Sequence, residues 1–264
     1  MLKKLILICA ISLPCFTSAN ERLTITGSST VAPLIMEIAK RFEKVNSGVR
    51  VDVQTGGSSR GINDARMGLA DIGMVSRALK KTEQDLTPFL VALDGIGLIV
   101  HSSNPVAELS DDQIIAIYKG EIKDWSDVAG PSRSISVVNK AEGRSTLELF
   151  LKHFLLKNSQ IKAQVVIGDN QQGIKTVAGN PGAIGYVSIG AAEYEVKNGT
   201  PIKLLPMKGV DASVANVANG QFSLSRPLNL VVKSASSPLV QKFLVYAQSD
   251  AVNDLIEAQF FVAP

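Results

Sequence analysis

Four short loops rich in glycine, serine and threonine carry the residues best suited to binding an anion. Three of these loops follow a predicted strand, and at least three lead into a predicted helix. A helix N-terminus leaves backbone N–H groups without partners and carries partial positive charge, while glycines let the backbone approach a ligand and hydroxyls add donors. The sequence therefore predicts an anion site formed by residues 27–30 (Gly-Ser-Ser-Thr), 56–61 (Gly-Gly-Ser-Ser-Arg-Gly), 76–77 (Ser-Arg) and 142–146 (Glu-Gly-Arg-Ser-Thr).

Ordinary helix capping is the alternative explanation for these hydroxyls. A helix needs one capping serine or threonine, whereas Ser28, Ser29 and Thr30 supply three in succession. Arg77 and Arg144 lie inside two of the loops, where a guanidinium would form paired hydrogen bonds to an oxyanion. Each arginine alone is equally consistent with a solvated surface charge. The recurrence of the pattern in four loops favours a ligand site.

The scarcity of histidine and cysteine argues against metal or thiol chemistry. His101 and His153 lie far apart, and the two cysteines, Cys9 and Cys15, lie close to the N-terminus. We therefore predict no metal site and no cofactor. The Gly-x-Ser-x-Gly motif of serine hydrolases is absent, although a catalytic triad is defined by geometry and stays open at this point. A net charge of +3 without a basic stripe argues against a nucleic-acid partner.

The first 19 residues have the pattern of a cleaved secretory signal peptide. Lys3 and Lys4 precede an apolar run at 5–13, and small residues follow before a predicted cut between Ala19 and Asn20. The apolar run is shorter than the roughly 20 residues of a membrane-spanning helix. Cleavage before a lipidated cysteine is the alternative. We expect export to the periplasm, and the exported chain, which has no cysteine, must be stable through its core alone.

The rest of the chain alternates short β-branched runs with amphipathic stretches, which predicts an α/β fold with parallel βαβ units. Strands are expected at residues 23–26, 49–53, 70–75, 96–101, 135–139, 164–167, 183–187, 202–205 and 228–233. Helices are expected at residues 31–45, 62–67, 111–118, 145–157, 239–248 and 251–260. On the first helix, apolar side chains recur at the spacing of one buried face.

A length of 264 residues fits one large or two small domains, and no obvious linker divides the chain. A two-lobe chain without a linker crosses between its lobes on strands. We expect those crossings in the extended segments 96–104 and 225–233. The first lobe would then be discontinuous, comprising residues 20–100 and 226–264, and the second lobe would comprise residues 101–225.

An ordered set of motifs resembles the phosphate-binding proteins of ABC transporters. These motifs lie at residues 26–31, 57–61, 71–77, 117–120 with Trp125, 140–146 and 182–186. The resemblance covers essentially the whole exported chain. It implies a type II periplasmic-binding-protein fold, in which two lobes, each a mainly parallel sheet flanked by helices, enclose a ligand cleft. It also implies delivery of the ligand to a membrane permease, with no enzymatic activity.

The resemblance further implies which residues contact phosphate. Thr30, Val31 and Ser58 match family positions, whereas Ser76 replaces an aspartate that many members use to accept a phosphate proton and repel sulfate. In the loop 140–146, Lys140 replaces an anion-binding arginine, Arg144 replaces serine, Ser145 replaces glycine, and Thr146 is kept. Selectivity against sulfate therefore stays open. The candidate phosphate-binding residues are Ser29, Thr30, Val31, Ser58, Ser59, Ser76, Arg77, Lys140, Arg144, Ser145 and Thr146.

The expected function is capture of inorganic phosphate in the periplasm for an ABC import system, by a monomer without a cofactor. Another oxyanion or a small organic phosphate is the first alternative ligand. An exported serine hydrolase is the second alternative, and a sensor that reports phosphate to a membrane kinase is the third.

Overall fold

The computed structural model describes residues 21–233 and 236–264, so the predicted signal peptide lies outside the described residues. The chain begins with β1 (Glu21–Gly27), α1 (Ala32–Val45), β2 (Val49–Thr55), α2 (Ser58–Met67), β3 (Ile72–Val75) and β4 (Leu86–His101). It continues with α3 (Asp111–Lys119), β5 (Ser136–Lys140), α4 (Ser145–His153), β6 (Val165–Ile167), α5 (Asn170–Ala178), β7 (Ala183–Ser188), α6 (Ile189–Lys197), β8 (Ile202–Leu205) and α7 (Val214–Ala218). It ends with β9 (Ser225–Lys233), α8 (Pro238–Ala247) and α9 (Asn253–Ala258).

The strands follow the order β2-β1-β3-β9-β4-β7-β5-β6, and β8 also pairs with β4. At one end β1 pairs in parallel with β2 and β3, and at the other end β5 pairs in parallel with β6 and β7. β4 and β9 run antiparallel to their neighbours. The α/β class therefore agrees with the sequence prediction. The sheet is mixed rather than mainly parallel, because β4 and β9, which join its two ends, run antiparallel to the strands beside them.

β4 is the strand on which the chain crosses. Its first part, from Leu86 to Gly95, pairs with β9, and its second part, from Ile96, pairs with β7 and β8. The sequence prediction starts this strand at residue 96 and so misses its first ten residues. A proline at position 88 and an irregularity between Leu90 and Ala92 interrupt the alternation that marks a strand.

The buried apolar side chains change partners at this crossing. One core draws its residues from 23–92 and 228–261, and another draws its residues from 96–224. We call these the first and second packing units. The chain passes from one core to the other between Ala92 and Ile96, and it returns between Leu224 and Leu228. Both positions lie close to the predicted lobe boundaries. The division into lobes itself stays a prediction.

α1 forms because its apolar residues recur on one face. Leu34, Ile35, Ile38 and Phe42 are buried as predicted, and the ring of Phe42 meets that of Phe243 of α8 edge to face, with centroids 5.1 Å apart. This packing anchors the helix against the sheet. Its N-terminus therefore has a fixed place beside the loop that follows β1.

Other helices differ from the predicted boundaries. α2 begins at Ser58 rather than at residue 62, and α4 ends at His153 rather than at residue 157, because Leu155 adopts a left-handed backbone with φ of 54°. α5 and α6 were not predicted at all. Their first turns contain the polar residue Asn170 and the glycine Gly190, which weaken the helical signal.

Candidate functional site

The glycine- and serine-rich loops meet where the two packing units touch. The backbone N–H of Ser59 donates to the carbonyl of Gly143 at 3.2 Å. The Asn170 side chain at the start of α5 donates to Thr30 Oγ1 at 3.2 Å. Residues distant in sequence therefore form one polar cluster between the units, as the sequence pattern predicts for the loops before α1, α2 and α4.

The helices that begin at this cluster are the ones without side-chain caps. Among the described helices longer than two turns, α1, α2 and α4 begin with no side-chain cap. A serine or aspartate oxygen caps each of α3, α5, α6 and α8. Uncapped N-termini leave N–H groups and partial positive charge facing the cluster. This arrangement suits an anion better than it suits ordinary helix capping.

The side chain at the centre of the cluster is Arg226 on β9, which is not among the site residues predicted from the sequence. Its Nη1 donates to Thr146 Oγ1 at 2.9 Å and to Ser76 Oγ at 3.4 Å, and its Nη2 donates to Thr30 Oγ1 at 3.3 Å. Arg226 is 2% exposed. One buried guanidinium therefore joins three of the predicted site residues, which come from both packing units.

Asp94 on β4 is the counterion of Arg226. Asp94 Oδ2 accepts from Arg226 Nη2 at 2.9 Å and from Nε at 3.2 Å, and Oδ1 accepts from the Gly190 N–H at 3.2 Å. Both side chains are about 1% exposed. The carboxylate therefore fixes the direction in which the guanidinium points, and each of its oxygens already accepts at least one hydrogen bond.

The smaller predicted residues lie buried in or beside the cluster around Arg226. Ser58 Oγ accepts from the Ser76 N–H at 3.1 Å, and the two hydroxyl oxygens lie 3.5 Å apart. Ser145 Oγ is buried and has no partner within the described residues. The Val31 N–H donates to Ser28 Oγ at 3.4 Å. Thr30, Ser58, Ser76, Ser145 and Thr146 are all less than 5% exposed.

Three predicted residues have other partners or lie at the margin of the cluster. Arg77 forms a two-point ion pair with Glu83 at 2.7 and 2.9 Å, and its Nε lies 3.2 Å from Glu148 of α4. Burial lowers the pKa of Arg77, but these carboxylates outweigh burial and raise it. Its guanidinium thus links the units rather than facing the hydroxyls. The Ser59 hydroxyl donates to Glu148 at 3.3 Å, and Ser29 is partly exposed.

Arg144 retains an unpaired guanidinium edge. Its Nε is buried without a hydrogen-bond partner within the described residues. A Cβ built on Gly57 would lie 2.9 Å from Arg144 Cδ, and one built on Gly168 would lie 3.4 Å from its Nη2. These two glycines therefore leave the space that the arginine occupies between the packing units.

Lys140 is a buried lysine without a bound carboxylate in the described part of the chain. It is 3% exposed, and its Nζ donates to Asn170 Oδ1 at 3.0 Å. Burial, followed by the positive charges of Arg226 and Arg144, lowers its pKa from 10.5 to about 7, while Asp169 opposes the shift. The site therefore contains one basic group that changes charge near neutral pH.

A family model described as a PBP superfamily domain matches residues 16–251. The chain belongs to the PBP superfamily. Its solved relatives confirm the α/β fold expected from the sequence, and a two-lobe arrangement is consistent with them. A putative phosphate ABC transporter substrate-binding protein from Clostridium perfringens, solved with bound phosphate, is 29% identical, and the alignment covers 92% of this chain and all of that one with a TM-score of 0.85.

Two further relatives extend this similarity. An ABC-type phosphate transport receptor from Vibrio cholerae is 29% identical, with the same coverage and a TM-score of 0.76. The phosphate-binding protein PstS of Bacillus subtilis is 28% identical over 243 residues, which are 90% of this chain and 79% of that protein.

The polar cluster of this PBP-superfamily chain contains no metal-binding group. Within residues 21–233 and 236–264, no three His, Cys, Asp or Glu side chains come together as metal ligands. His101 lies at the end of β4, where its Nδ1 pairs with Ser103 Oγ, and His153 lies at the end of α4. The polar groups of the cluster are hydroxyls, amides and basic side chains, together with the carboxylate of Asp94.

Lys140 gives a testable dependence of stability on pH. Its pKa is lower in the folded chain than in the unfolded chain, so between these values the unfolded chain binds more protons and stability rises with pH. We expect the ligand-free protein to gain about 1.4 kcal/mol of unfolding free energy through Lys140 between about pH 6 and pH 8. Urea unfolding at both pH values, with Lys140→Met as the reference, measures this gain. An equal pH dependence in both proteins would contradict it.

Proposed function

We propose that this protein captures inorganic phosphate outside the cytoplasm and delivers it to the permease of an ABC transporter. The observation that carries the proposal is the buried Arg226, which donates to hydroxyls from both packing units. Relatives named for phosphate binding, one of them solved with phosphate bound, support the choice of ligand. The chain is a binding protein rather than an enzyme.

The hydroxyls around Arg226 are polarised to donate. Thr30 Oγ1 accepts hydrogen bonds from both Arg226 and Asn170, and Thr146 Oγ1 accepts one from Arg226. A hydroxyl whose oxygen is occupied in this way keeps its own hydrogen for another acceptor. Phosphate oxygens would accept those hydrogens together with the N–H groups at the starts of α2 and α4. The ligand would thus replace its lost water with protein donors.

The charge around the cluster is also suited to an anion. Arg226, Arg144 and Lys140 bring up to three positive charges, whereas Asp94 is the carboxylate bonded directly to the group. Enclosing a dianion without such charges would carry a large desolvation cost. The site therefore favours anions over neutral ligands of the same shape.

Closure of two lobes is the second part of the proposal. We assign residues 20–100 and 226–264 to one lobe and residues 101–225 to the other. Contacts such as Asn170 to Thr30 and Lys80 to Glu148, which lie 3.2 and 2.7 Å apart, would form as the lobes close. A ligand that contacts both lobes favours the closed form, because it binds that form more tightly.

Replacing Arg144 with alanine tests the assignment of the loop before α4. The substitution removes a half-buried guanidinium that has no carboxylate partner in the described residues. A charge-assisted hydrogen bond contributes about 1.5–3 kcal/mol, so calorimetry should show phosphate affinity lowered roughly 10- to 100-fold. Arg133→Ala, at an exposed arginine of the same packing unit, is the control. Equal affinity in both variants would make Arg144 a surface charge.

A small organic phosphate is the second candidate ligand. A cavity of about 370 Å³ opens beside Thr30 and Asn170, and Pro33, Met36 and Tyr194 contribute to its lining. An organic group attached to a phosphate in the cluster would have an apolar space to enter. Competition between phosphate and a phosphate monoester distinguishes the two ligands. The serine-hydrolase alternative is not carried forward, because neither histidine lies at the cluster.

Localisation and partners complete the proposal. We infer export through cleavage of the predicted signal peptide, residues 1–19, and action as a periplasmic monomer that docks on a membrane permease. None of the helices in the described ranges is long and apolar enough to cross a membrane. The relatives named for ABC-type phosphate transport support the permease as partner.

A further inference from the structure

A site for phosphate must distinguish it from sulfate, which has the same tetrahedral shape. Near neutral pH, phosphate retains at least one P–OH group, whereas sulfate has no proton. Hydrogen-bond donors alone cannot distinguish phosphate from sulfate, because the oxygens of both anions accept hydrogen bonds. The distinction needs an acceptor placed where the P–OH group would lie.

The carboxylates near the cluster already accept hydrogen bonds or pair with basic side chains. Asp94 accepts two hydrogen bonds from Arg226 and one from Gly190. Glu148 lies between Arg77 and Lys80, with N–O distances of 3.2 and 2.7 Å. Asp169 Oδ1 accepts from the backbone N–H of Gln172 at the start of α5. Ser76, which accepts from Arg226 within the cluster, has an uncharged hydroxyl.

Lys140 offers a further acceptor, which no carboxylate in the described part of the chain engages. Its amine is enclosed and has one hydrogen-bond partner among the described residues, Asn170 Oδ1. An ammonium group has three donors and no acceptor, so burial beside a single amide oxygen leaves two of its N–H groups unsatisfied. A neutral amine keeps a lone pair instead, and the lowered pKa of Lys140 supports the neutral form.

The charges around the amine favour the same state. Asn170, which holds Nζ, also donates to Thr30, and Thr30 accepts from Arg226. Among the described residues, the charged and titratable groups that face Lys140 or its partners are Arg226 of β9, Asp94 of β4, Arg144 before α4, Asp169 before α5 and Tyr186 of β7. The Tyr186 hydroxyl accepts from the backbone N–H of Lys140. Two guanidiniums thus oppose a third positive charge. The pKa of Tyr186 is raised by burial, which keeps that hydroxyl neutral.

We propose that Lys140, as a neutral amine, accepts the hydrogen of the bound phosphate P–OH group and so selects protonated tetrahedral oxyanions over sulfate. The inference rests on the proposed phosphate-binding function. The proton either stays on the phosphate oxygen or moves to the amine, and the complex holds the same number of protons in both cases. Sulfate has no proton to offer, so it binds only when Lys140 takes up a proton from solvent.

This proton balance predicts opposite behaviour of the two anions above neutral pH. Sulfate affinity should fall up to 10-fold for each pH unit above about 7, whereas phosphate affinity should change little. In Lys140→Arg the charge is permanent, so the ratio of the two affinities should stay constant and sulfate should bind more tightly than to the parent. Lys140→Met has no charge and only a weak sulfur acceptor, so the ratio of the phosphate and sulfate affinities should also stay constant.

Calorimetric titration of the phosphate-stripped protein and both variants at about pH 8 and pH 9, in buffers of different ionisation enthalpy, tests the inference. The expected result is uptake of about one proton per sulfate and none per phosphate in the parent, and no uptake in either variant. A parent whose affinity ratio does not change with pH, or a variant that keeps the parent's pH dependence, would overturn it. Absence of phosphate binding by the parent would instead refute the proposed function.

Discussion

Replacing Arg226 with methionine is expected to lower phosphate affinity at least 100-fold and to lower the free energy of unfolding by about 3–5 kcal/mol. Two losses combine in this variant. The donors to Thr30, Ser76 and Thr146 disappear, and the buried Asp94 loses its counterion. An unpaired carboxylate in the interior is strongly destabilising, which accounts for the large effect on stability.

A double variant separates these two losses. Arg226→Met combined with Asp94→Leu removes the buried pair as a whole, and such replacements are often neutral or stabilising. We expect urea unfolding to show stability close to that of the parent, while calorimetry still shows weak phosphate binding. If the double variant binds phosphate as tightly as the parent, Arg226 acts through the fold and not through the ligand.

Replacing Gly57 with alanine should lower phosphate affinity roughly 10- to 100-fold by preventing closure. Gly57 has φ of 93°, and a Cβ there would lie 2.6 Å from the carbonyl oxygen of Gly143 in the other packing unit. Such a backbone conformation costs about 1–3 kcal/mol for a residue with a side chain. The clash adds a penalty that exists only while the units touch. Calorimetry measures the affinity, and X-ray scattering with saturating phosphate measures the radius of gyration.

Gly68→Ala is the matched control for this substitution. Gly68 has φ of 68° at the end of α2, and a Cβ there would meet nothing within 4 Å. Its variant carries backbone strain but no contact between units, so it should lose some stability and keep parental phosphate affinity. Equal losses of affinity in the two variants would attribute the Gly57 effect to strain within α2 and not to closure.

The loops that form the polar cluster could be predicted because their signals are local. Glycine, serine and threonine before an amphipathic helix mark a helix N-terminus in a few residues. The buried face of α1 follows from its own apolar spacing in the same way. Ser58 and Thr146 could therefore be predicted to lie in the polar cluster before any tertiary contact was known.

Arg226 could not be found in this way, because its role depends on a contact across 132 residues, to Asp94. Arg226 on β9 and Asp94 on β4 meet only because these two strands pair where the chain crosses between the packing units. A single arginine before a proline gives no local sign that its side chain is buried. The available signal was a charged residue, Arg226, within the predicted crossing segment 225–233, whereas Asp94 lies before the other predicted segment, 96–104. Asn170 was missed for a related reason, since the helix that presents it was not predicted.

The two arginines singled out in the loops illustrate the same limit. Arg77 and Arg144 occupy similar local settings, yet Glu83 engages the guanidinium of Arg77, whereas Arg144 has no carboxylate partner among the described residues. The difference arises from a short 3-10 turn at Lys81–Glu83 that returns Glu83 to Arg77. Loop composition alone carries no information about which arginine is neutralised by a neighbour.

Calorimetric titration of residues 20–264, stripped of bound phosphate by unfolding and refolding, tests the central claim most directly. The account predicts saturable binding of one inorganic phosphate per chain, unchanged by a chelator, because hydroxyls, amides and basic side chains hold the anion directly. Absence of saturable binding up to about 1 mM phosphate, or binding that a chelator abolishes and a divalent cation restores, would contradict it.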